Sequence, residues 1–506
     1  MNPDQTALST FQALALDRHL AEAPGDPWPS LRQWLAIADT VPAYRDFLRR
    51  RGTEVAAIDS LEAFERLPLM TKPDYLEAYP LSQRVPGGDL SRLDRLAVSS
   101  GSTGVPTFWP RSVRHEAAIA LRFEQVFRDA FNAHQTKTLA VVAFALGNWV
   151  GGLYTTSCGW HLSQKGYPLT VATPGNHLAE IVRVVAAVGP FYDQIVLLGY
   201  PPFLRDVLDY GRKQGLDWAA LRTRLVFAGE VFSEEWREAV VRLAGGENPA
   251  LTTASLYGTA DGGVLGNETP LSITIRAYLA EAPDLARALF GASRLPTLVQ
   301  YDPRDRYFEV VDGTLVVSGD NGVPLIRYHI KDEGGLIPYE AMWSFLERVG
   351  AASAIRARLP ETAPLRPLPF AYVFGRADFT VSYYGANVYP ENVTVGLEGS
   401  AFSEAITGKF VMESLKDAEG DPTLNITVEL RPGREPEPAL ALSLSLEIEA
   451  ALQRLNSEFR HYVPLALQRP RVILKAFQDP EDFPAGVKHR YTRDSGAKGR
   501  SDRRRS

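Results

Sequence analysis

A run of small and hydroxylated residues, Ser99-Ser100-Gly101-Ser102-Thr103-Gly104-Val105-Pro106, follows an apolar stretch that ends at Val98. Two glycines let successive backbone amides converge, and four hydroxyls add donors, a combination suited to wrapping a polyphosphate. The run is not a Walker loop, because no Gly-Lys-Ser/Thr follows it. No Gly-x-Gly-x-x-Gly follows a predicted strand either, which disfavours a dinucleotide oxidoreductase. Cys158 and His161 lie three residues apart and would suit thiol nucleophilic chemistry. The sequence offers no orienting partner for them, so Cys158 reads as a small buried hydrophobe.

Elements must hold such residues in place. Apolar spacing predicts helices through the first ~90 residues, over 28–48 and 61–75. From about residue 113 helix and strand periods alternate: helix 113–131, strand 139–146, helix 178–188, strand 194–198, helix 202–214, strand 224–228 and strand 251–256. Ser233, followed by Glu234 and Glu235, starts a further helix with a capping hydroxyl and acids at the positive dipole end. This alternation predicts an α/β fold with mostly parallel sheets flanked by helices. Beyond about 297 the runs 307–311, 314–318 and 325–330, separated by Asp-Gly and Asn-Gly turns, predict a β-hairpin region. Residues 338–369 form an insert of one helix and an irregular return. A small C-terminal α+β domain follows, with strand 380–384, helix 390–397, strands near 410 and over 424–430, and helix 439–459. The expected organisation is a large domain over 1–376, a small mobile domain over 379–487 and a basic tail over 488–506.

Composition narrows the classes. With 506 residues, two to four domains are expected at ~150 residues each. An apolar fraction of 45% and a charged fraction of 23% exclude a disordered chain. A net charge of −6 argues against a nucleic-acid or anionic-membrane partner, and the tail ending in Arg503-Arg504-Arg505 reads as solvated. One cysteine cannot form an internal disulfide or a multi-cysteine metal site, which favours a reducing compartment. The first 25 residues carry charges throughout, and no apolar run is long enough to span a bilayer, so a cytoplasmic location is expected.

Five ordered motifs then resemble the adenylate-forming superfamily of acyl-CoA synthetases, adenylation domains and luciferases, and within it the phenylacetate–CoA ligase-like branch. The likeness runs from "SLEAFERLPLMTKPDYLEAYP" at 60–80 to "GRADFTVSYYGANVYPENV" at 375–393. It implies that Ser99, Ser100, Gly101, Ser102, Thr103 and Gly104 belong to an ATP-phosphate loop, and that Gly229, Glu230 and Val231 line the adenine. Tyr257, Gly258, Thr259, Ala260 and Asp261 resemble the family's Tyr-Gly-x-Thr/Ser-Glu, in which the tyrosine stacks on adenine, the hydroxyl meets the α-phosphate and the acid holds Mg2+. By the same likeness Asp332 binds the ribose hydroxyls, Arg376 lies near the ribose, and Asp378 is the hinge between the domains. Phe144, Trp149 and Tyr154, with Gly199 and Tyr200 opposite, are the implied walls of an acid pocket. The catalytic lysine of the small domain is Lys488 or Lys498, Lys488 fitting the branch better.

The resemblance implies ATP-dependent activation of an aromatic or medium-chain carboxylic acid to an acyl adenylate, then transfer to a thiol, with coenzyme A as the expected acceptor. The alternatives are an acyl carrier protein's phosphopantetheine arm, or a non-catalytic relative that binds a nucleotide or acyl adenylate. Departures bear on that choice. Thr107 replaces the loop's usual lysine, Ala260 stands at the hydroxyl position, and Asp261 is one methylene shorter than glutamate. The long gap from Asp332 to Arg376 suggests that the insert covers the site or a partner surface.

Overall fold

Runs of valine, leucine and isoleucine between amphipathic helices build one sheet of eleven strands. In the computed structural model of the chain the described residues are 3–22, 24–99, 107–292, 294–376, 381–384, 386–416, 422–456, 459–460, 463–484 and 491–493. The chain divides into two compact units, residues 1–285 with 295–374, and residues 286–294 with 375–506.

In the first unit a hairpin of β1 (Arg95–Ser99) and β2 (Thr107–Arg111) precedes the main sheet, with Ser99 paired to Thr107. The main sheet takes β3 (Thr138–Val142), β4 (Leu169–Ala172), β5 (Gln194–Gly199), β6 (Thr223–Ala228) and β7 (Thr253–Thr259). It continues with β8 (Gly263–Asn267), β9 (Thr297–Gln300), β10 (Tyr307–Val311), β11 (Thr314–Gly319), β12 (Leu325–Ile337) and β13 (Phe370–Arg376). The strand order is β10-β11-β12-β13-β9-β8-β7-β6-β5-β3-β4. Strands β4, β3, β5, β6 and β7 are mutually parallel, and β7–β8, β8–β9, β9–β13, β10–β11 and β11–β12 pair antiparallel.

The parallel half is buried on both faces, so its strands read as near-continuous apolar runs. Leu139, Val141, Ile195, Leu197, Leu225 and Phe227 face one core, where Ile181, Leu204, Val207 and Trp236 meet them. Ala140, Val142, Val196, Leu198 and Val226 face the other, with Phe123, Phe127, Tyr154 and Leu162. This is period-two alternation with both faces apolar. The helices Val113–Asp129 and Val150–Gln164 cover one side, and Leu178–Val188, Pro201–Lys213 and Glu234–Leu243 the other.

Three expected helices are each split in two, and region 61–75 forms Leu61–Glu65 and Lys72–Leu76. Region 28–48 forms Trp28–Ala38 and Pro42–Arg49, because Pro42 cannot continue a preceding helix. The insert forms Tyr339–Arg348 and Ala352–Arg358, separated at Gly350 (φ +72°), where Ala351 N–H returns to Leu346 O (2.8 Å). The N-terminal segment is tied to the sheet at Met70: its N–H donates to Arg327 O (3.0 Å), and its carbonyl accepts from His329 N–H (2.9 Å).

The second unit has the hairpin β14 (Val381–Tyr383) and β15 (Ala386–Val388), and a sheet of β16 (Ile406–Lys416), β17 (Pro422–Leu430) and β18 (Arg471–Lys475). Helices Pro390–Leu397 and Pro438–Leu455 pack on it around Val393, Phe410, Ile426, Val428, Leu444, Ile448 and Leu452. No helix among the described residues is long and apolar enough to cross a membrane.

Candidate functional site

Open α/β sheets bind ligands beyond the carboxyl ends of their parallel strands. Here Gly199 ends β5 and pairs with Phe227 of β6, and Ala228 at the end of β6 pairs with Leu256 of β7. Gly199-Tyr200 and Gly229-Glu230-Val231 therefore leave β5 and β6 at the edge of the sheet where Tyr257-Gly258 lie in the last residues of β7.

Gly229 (φ +91°) adopts a backbone conformation that disfavours a side chain, and the Tyr200 ring lies where its Cβ would be, 2.6 Å from Cε1. Tyr200 in turn meets Phe144 edge to face, at 5.1 Å between centroids. The outer part of Tyr200 stays open, at 43% exposure. Burial, then the charge of Glu230, raises its phenol above the usual range. The segment after Gly229 is anchored from below: Arg276 Nη2 donates to Phe232 O (2.7 Å), and Arg237 holds Glu268 with bonds of 2.6 and 2.9 Å. Ser233 accepts the Trp236 N–H (3.1 Å), the cap that its sequence context predicts.

Tyr257 Oη donates to Asp332 Oδ2 at 2.6 Å. A register shift at Tyr257–Gly258 and a positive φ at Lys331 (+64°) lie next to the two partners, so both strands depart from regular geometry where they meet. Burial first, then the Asp332 charge and hydrogen bond, push the Tyr257 phenol well above its ordinary value. Asp332 itself is 8% exposed.

The turn between β7 and β8 presents Asp261. Thr259 Oγ1 accepts the Gly262 N–H (2.9 Å), so this hydroxyl closes the turn. Tyr328 Oη donates to Asp261 Oδ2 at 2.5 Å. Behind the turn Arg111 Nη2 donates to Ala260 O (2.6 Å), and Arg306 Nε donates to Gly262 O (3.2 Å). With its amide oriented to satisfy its neighbours, Asn321 accepts from Arg111 Nη2 (2.9 Å) and Gly263 N–H (3.1 Å), and faces Tyr154 Oη (3.0 Å). The Arg111 guanidinium covers the Tyr154 ring at 4.1 Å.

Thus Phe144, Tyr200 and Gly229 adjoin, as do Tyr257 and Asp332. Tyr154 is buried, with its ring and hydroxyl engaged by Arg111 and Asn321. Trp149 is partly exposed and bridges β1 at Val98, whose N–H donates to Asn148 O (2.7 Å). Arg376 ends β13, and Ser99 ends β1. Ser100, Gly101, Ser102, Thr103, Gly104, Asp378, Lys488 and Lys498 lie outside the described residues. Cys158 is buried, and burial pushes its thiol up, which keeps it protonated and inert.

Sequence reasoning missed Tyr328, Arg111 and Asn321. Tyr328 lies four residues before Asp332 on the same strand, a spacing that offered a signal. Arg111 and Asn321 carried none, since their partnership spans 210 positions.

Among the described residues no group of three His, Cys, Asp or Glu side chains is placed to hold a metal ion. Asp261 offers a single carboxylate, which fits Mg2+ only in its usual manner, with phosphate oxygens and water completing the shell.

No family model matches the chain, and no curated protein matches it. Solved structures do. A 2-hydroxyisobutyryl-CoA ligase in the postadenylation state, in complex with R3-HIB-AMP, superposes with a TM-score of 0.62 at 16% identity, covering 97% of this chain and 90% of that one. The same ligase with 2-HIB-AMP gives 0.61 at 17% identity, with coverage of 97% and 90%. Its open conformation with 2-HIB-AMP and CoA gives 0.53 at 17%, covering 92% and 90%. This chain has the fold of that CoA ligase.

Proposed function

We propose that this protein activates a carboxylic acid with ATP to an acyl adenylate and transfers the acyl group to a thiol, coenzyme A. The observation that carries the reading is the Tyr257–Asp332 contact beside Gly229, at the carboxyl ends of the parallel strands. An aromatic ring, a carboxylate and the glycine turn at Gly229 are the groups that binding a nucleoside would call on, and their proximity supports the reading. A carboxylate has about four acceptor positions, so Asp332 can receive vicinal ribose hydroxyls while it holds Tyr257. Solved structures of the 2-hydroxyisobutyryl-CoA ligase with this fold contain HIB-AMP and, in two of them, CoA as well.

In this reading an oxygen of the substrate carboxylate forms a bond to the α-phosphorus. The bond to the bridging oxygen breaks, and pyrophosphate leaves. The thiolate sulfur then bonds to the acyl carbon, AMP leaves with the former carboxylate oxygen, and the thiol proton passes to solvent. No protein nucleophile is consumed. The protein's contribution is positioning and charge stabilisation. Asp261, held by Tyr328, is the residue to carry Mg2+, which supplies charge neutralisation on the phosphates. Phe144 and Tyr200 form the wall of the acid pocket, and their aromatic character supports an aromatic or medium-chain acid and the phenylacetate–CoA ligase-like branch. Residues 379–487 act as the mobile domain, with Asp378 at the hinge, and deliver Lys488 for adenylation. A single cysteine in 506 residues supports a cytoplasmic setting.

The test is acid-dependent exchange of labelled pyrophosphate into ATP across a panel of aromatic and aliphatic acids, followed by thioester formation with CoA. Exchange with at least one acid is expected. Absence of exchange with every acid would overturn the reading, and turnover only with a carrier protein would replace CoA as the acceptor.

A further inference from the structure

Tyr154, which the sequence resemblance puts in the wall of the acid pocket, has another task in the structure. Its side chain projects from helix Val150–Gln164 and is buried. The Arg111 guanidinium lies over its ring at 4.1 Å, and its hydroxyl meets the Asn321 amide at 3.0 Å. One ring face and the polar handle are thereby taken by protein groups.

Both partners lead to the turn between β7 and β8. Arg111 Nη2 donates to Ala260 O (2.6 Å), and its Nε donates to the backbone carbonyl of Asn321 (3.4 Å). The Asn321 amide accepts the Gly263 N–H (3.1 Å), and Arg306 Nε donates to Gly262 O (3.2 Å) from another segment. The backbone is shaped to admit these contacts. At Gly263 (φ +75°) a Cβ would lie 2.9 Å from Asn321 Nδ2, and at Gly322 (φ +92°) a Cβ would collide with the Pro110 carbonyl. Glycine at both positions brings the Asn321 segment against β2 on one side and the turn on the other.

Asp261 sits in the middle of this turn. An aspartate carboxylate hangs from one torsion fewer than a glutamate's, so its position follows the backbone closely. Mg2+ demands near-octahedral geometry, so a small displacement of the turn acts on the metal before it acts on the nucleoside. Groups fixed in advance also need no reorganisation when the charged ligand arrives.

We propose that Tyr154, Arg111 and Asn321 are positioning residues that hold the Ala260–Gly263 turn, and with it the Asp261 carboxylate, for a magnesium-bound nucleotide, and that Tyr154 is no part of the acid wall. The assignment rests on the adenylate-forming reading above, in which Asp261 carries the metal.

Calorimetry tests it through the dissociation constants of ATP with excess Mg2+, of ATP in EDTA and of AMP. The full-length wild type is compared with Tyr154→Phe, Tyr154→Leu, Asn321→Ala and Arg111→Lys, each checked by thermal melting, and the acid's KM is measured at saturating Mg2+ and ATP. Asn321→Ala should weaken magnesium-ATP by about fivefold and leave metal-free ATP and AMP within about twofold, the low end of the effect of a lost buried hydrogen bond. Arg111→Lys keeps the charge but loses the fork that bridges Ala260 and Asn321, so it should resemble Asn321→Ala and not the wild type. Tyr154→Leu should show the same selective loss, and Tyr154→Phe a smaller one of about threefold, with the acid's KM within about twofold in both. Equal losses for magnesium-ATP, metal-free ATP and AMP mark a merely structural role and overturn the proposal. A raised acid KM in Tyr154→Phe with unchanged magnesium-ATP affinity returns Tyr154 to the acid wall and overturns it too. If the larger changes do not fold, Tyr154→Phe, which loses one oxygen, decides: unchanged magnesium-ATP affinity overturns the assignment. A wild type that binds no ATP, with or without Mg2+, would instead sink the functional reading itself, so the two failures are distinguishable.

Discussion

Tyr257 Oη donates a 2.6 Å hydrogen bond to Asp332 Oδ2 across 75 positions of sequence. One partner ends the parallel half of the sheet, and the other lies on the long strand of the antiparallel half. The bond orients the carboxylate and the ring together. Asp332→Ala is expected to raise the KM for ATP by about tenfold or more, the scale of a lost charge-assisted hydrogen bond, with a smaller change in kcat. Tyr257→Phe should keep the ring and give a smaller rise. Steady-state kinetics at saturating acid check both, and unchanged ATP dependence in Asp332→Ala would remove the residue from the nucleotide site.

Asp261 and Tyr328 form the second such pair, at 2.5 Å. Because Asp261 contributes a single carboxylate, Asp261→Asn should raise the Mg2+ concentration needed for half-maximal activity by about tenfold. Tyr328→Phe removes only the orienting donor and should shift it by less than about threefold. A magnesium titration of the exchange reaction measures both, and an unshifted curve for Asp261→Asn would place the metal elsewhere.

The two reaction halves separate the lysines. Lys488→Ala is expected to abolish adenylation while leaving thioester formation from a supplied acyl adenylate partly intact. Lys498→Ala should leave both halves near wild type. Single-turnover assays of each half provide the check, and the reverse pattern would move the role to Lys498.

Acid stability follows from Asp320. Burial alone would raise its carboxyl. The facing His115, through charge and a hydrogen bond, then Arg114 and the Gly322 N–H outweigh burial and hold the group at about 2, below the ordinary 3.8. A depressed carboxyl contributes stability that is fully present above pH 3.8 and is lost as pH falls through about 2. Urea midpoints of wild type and Asp320→Asn, taken from about pH 5 downward, should therefore converge as pH drops from about 4 toward 2. A gap that is constant over that range would contradict the assignment.

How far the chain is legible without coordinates varies by region. Helix Leu178–Val188, strand Gln194–Gly199 and helix Pro390–Leu397 fall close to where the apolar period puts them. Helix Val150–Gln164 was hidden, because the glycines and aromatics of that stretch blur a helical period. The pairing of β13 with β9 was hidden too, because three strands and two helices lie between Gln300 and Phe370 in the sequence.

The sequence by itself determined the local structure and the chemical inventory: helix and strand periods, the capping serine at 233, the glycine at 229, and the residue types able to serve a nucleotide. These depend on interactions within a few positions, or on functional groups that every conformation carries. Only the tertiary structure decided the partnerships, namely Tyr257 with Asp332, Tyr328 with Asp261, and Arg111 with Ala260 and Asn321. Each depends on strands distant along the chain meeting in one sheet, and hence on which faces remain to be buried once the local elements exist.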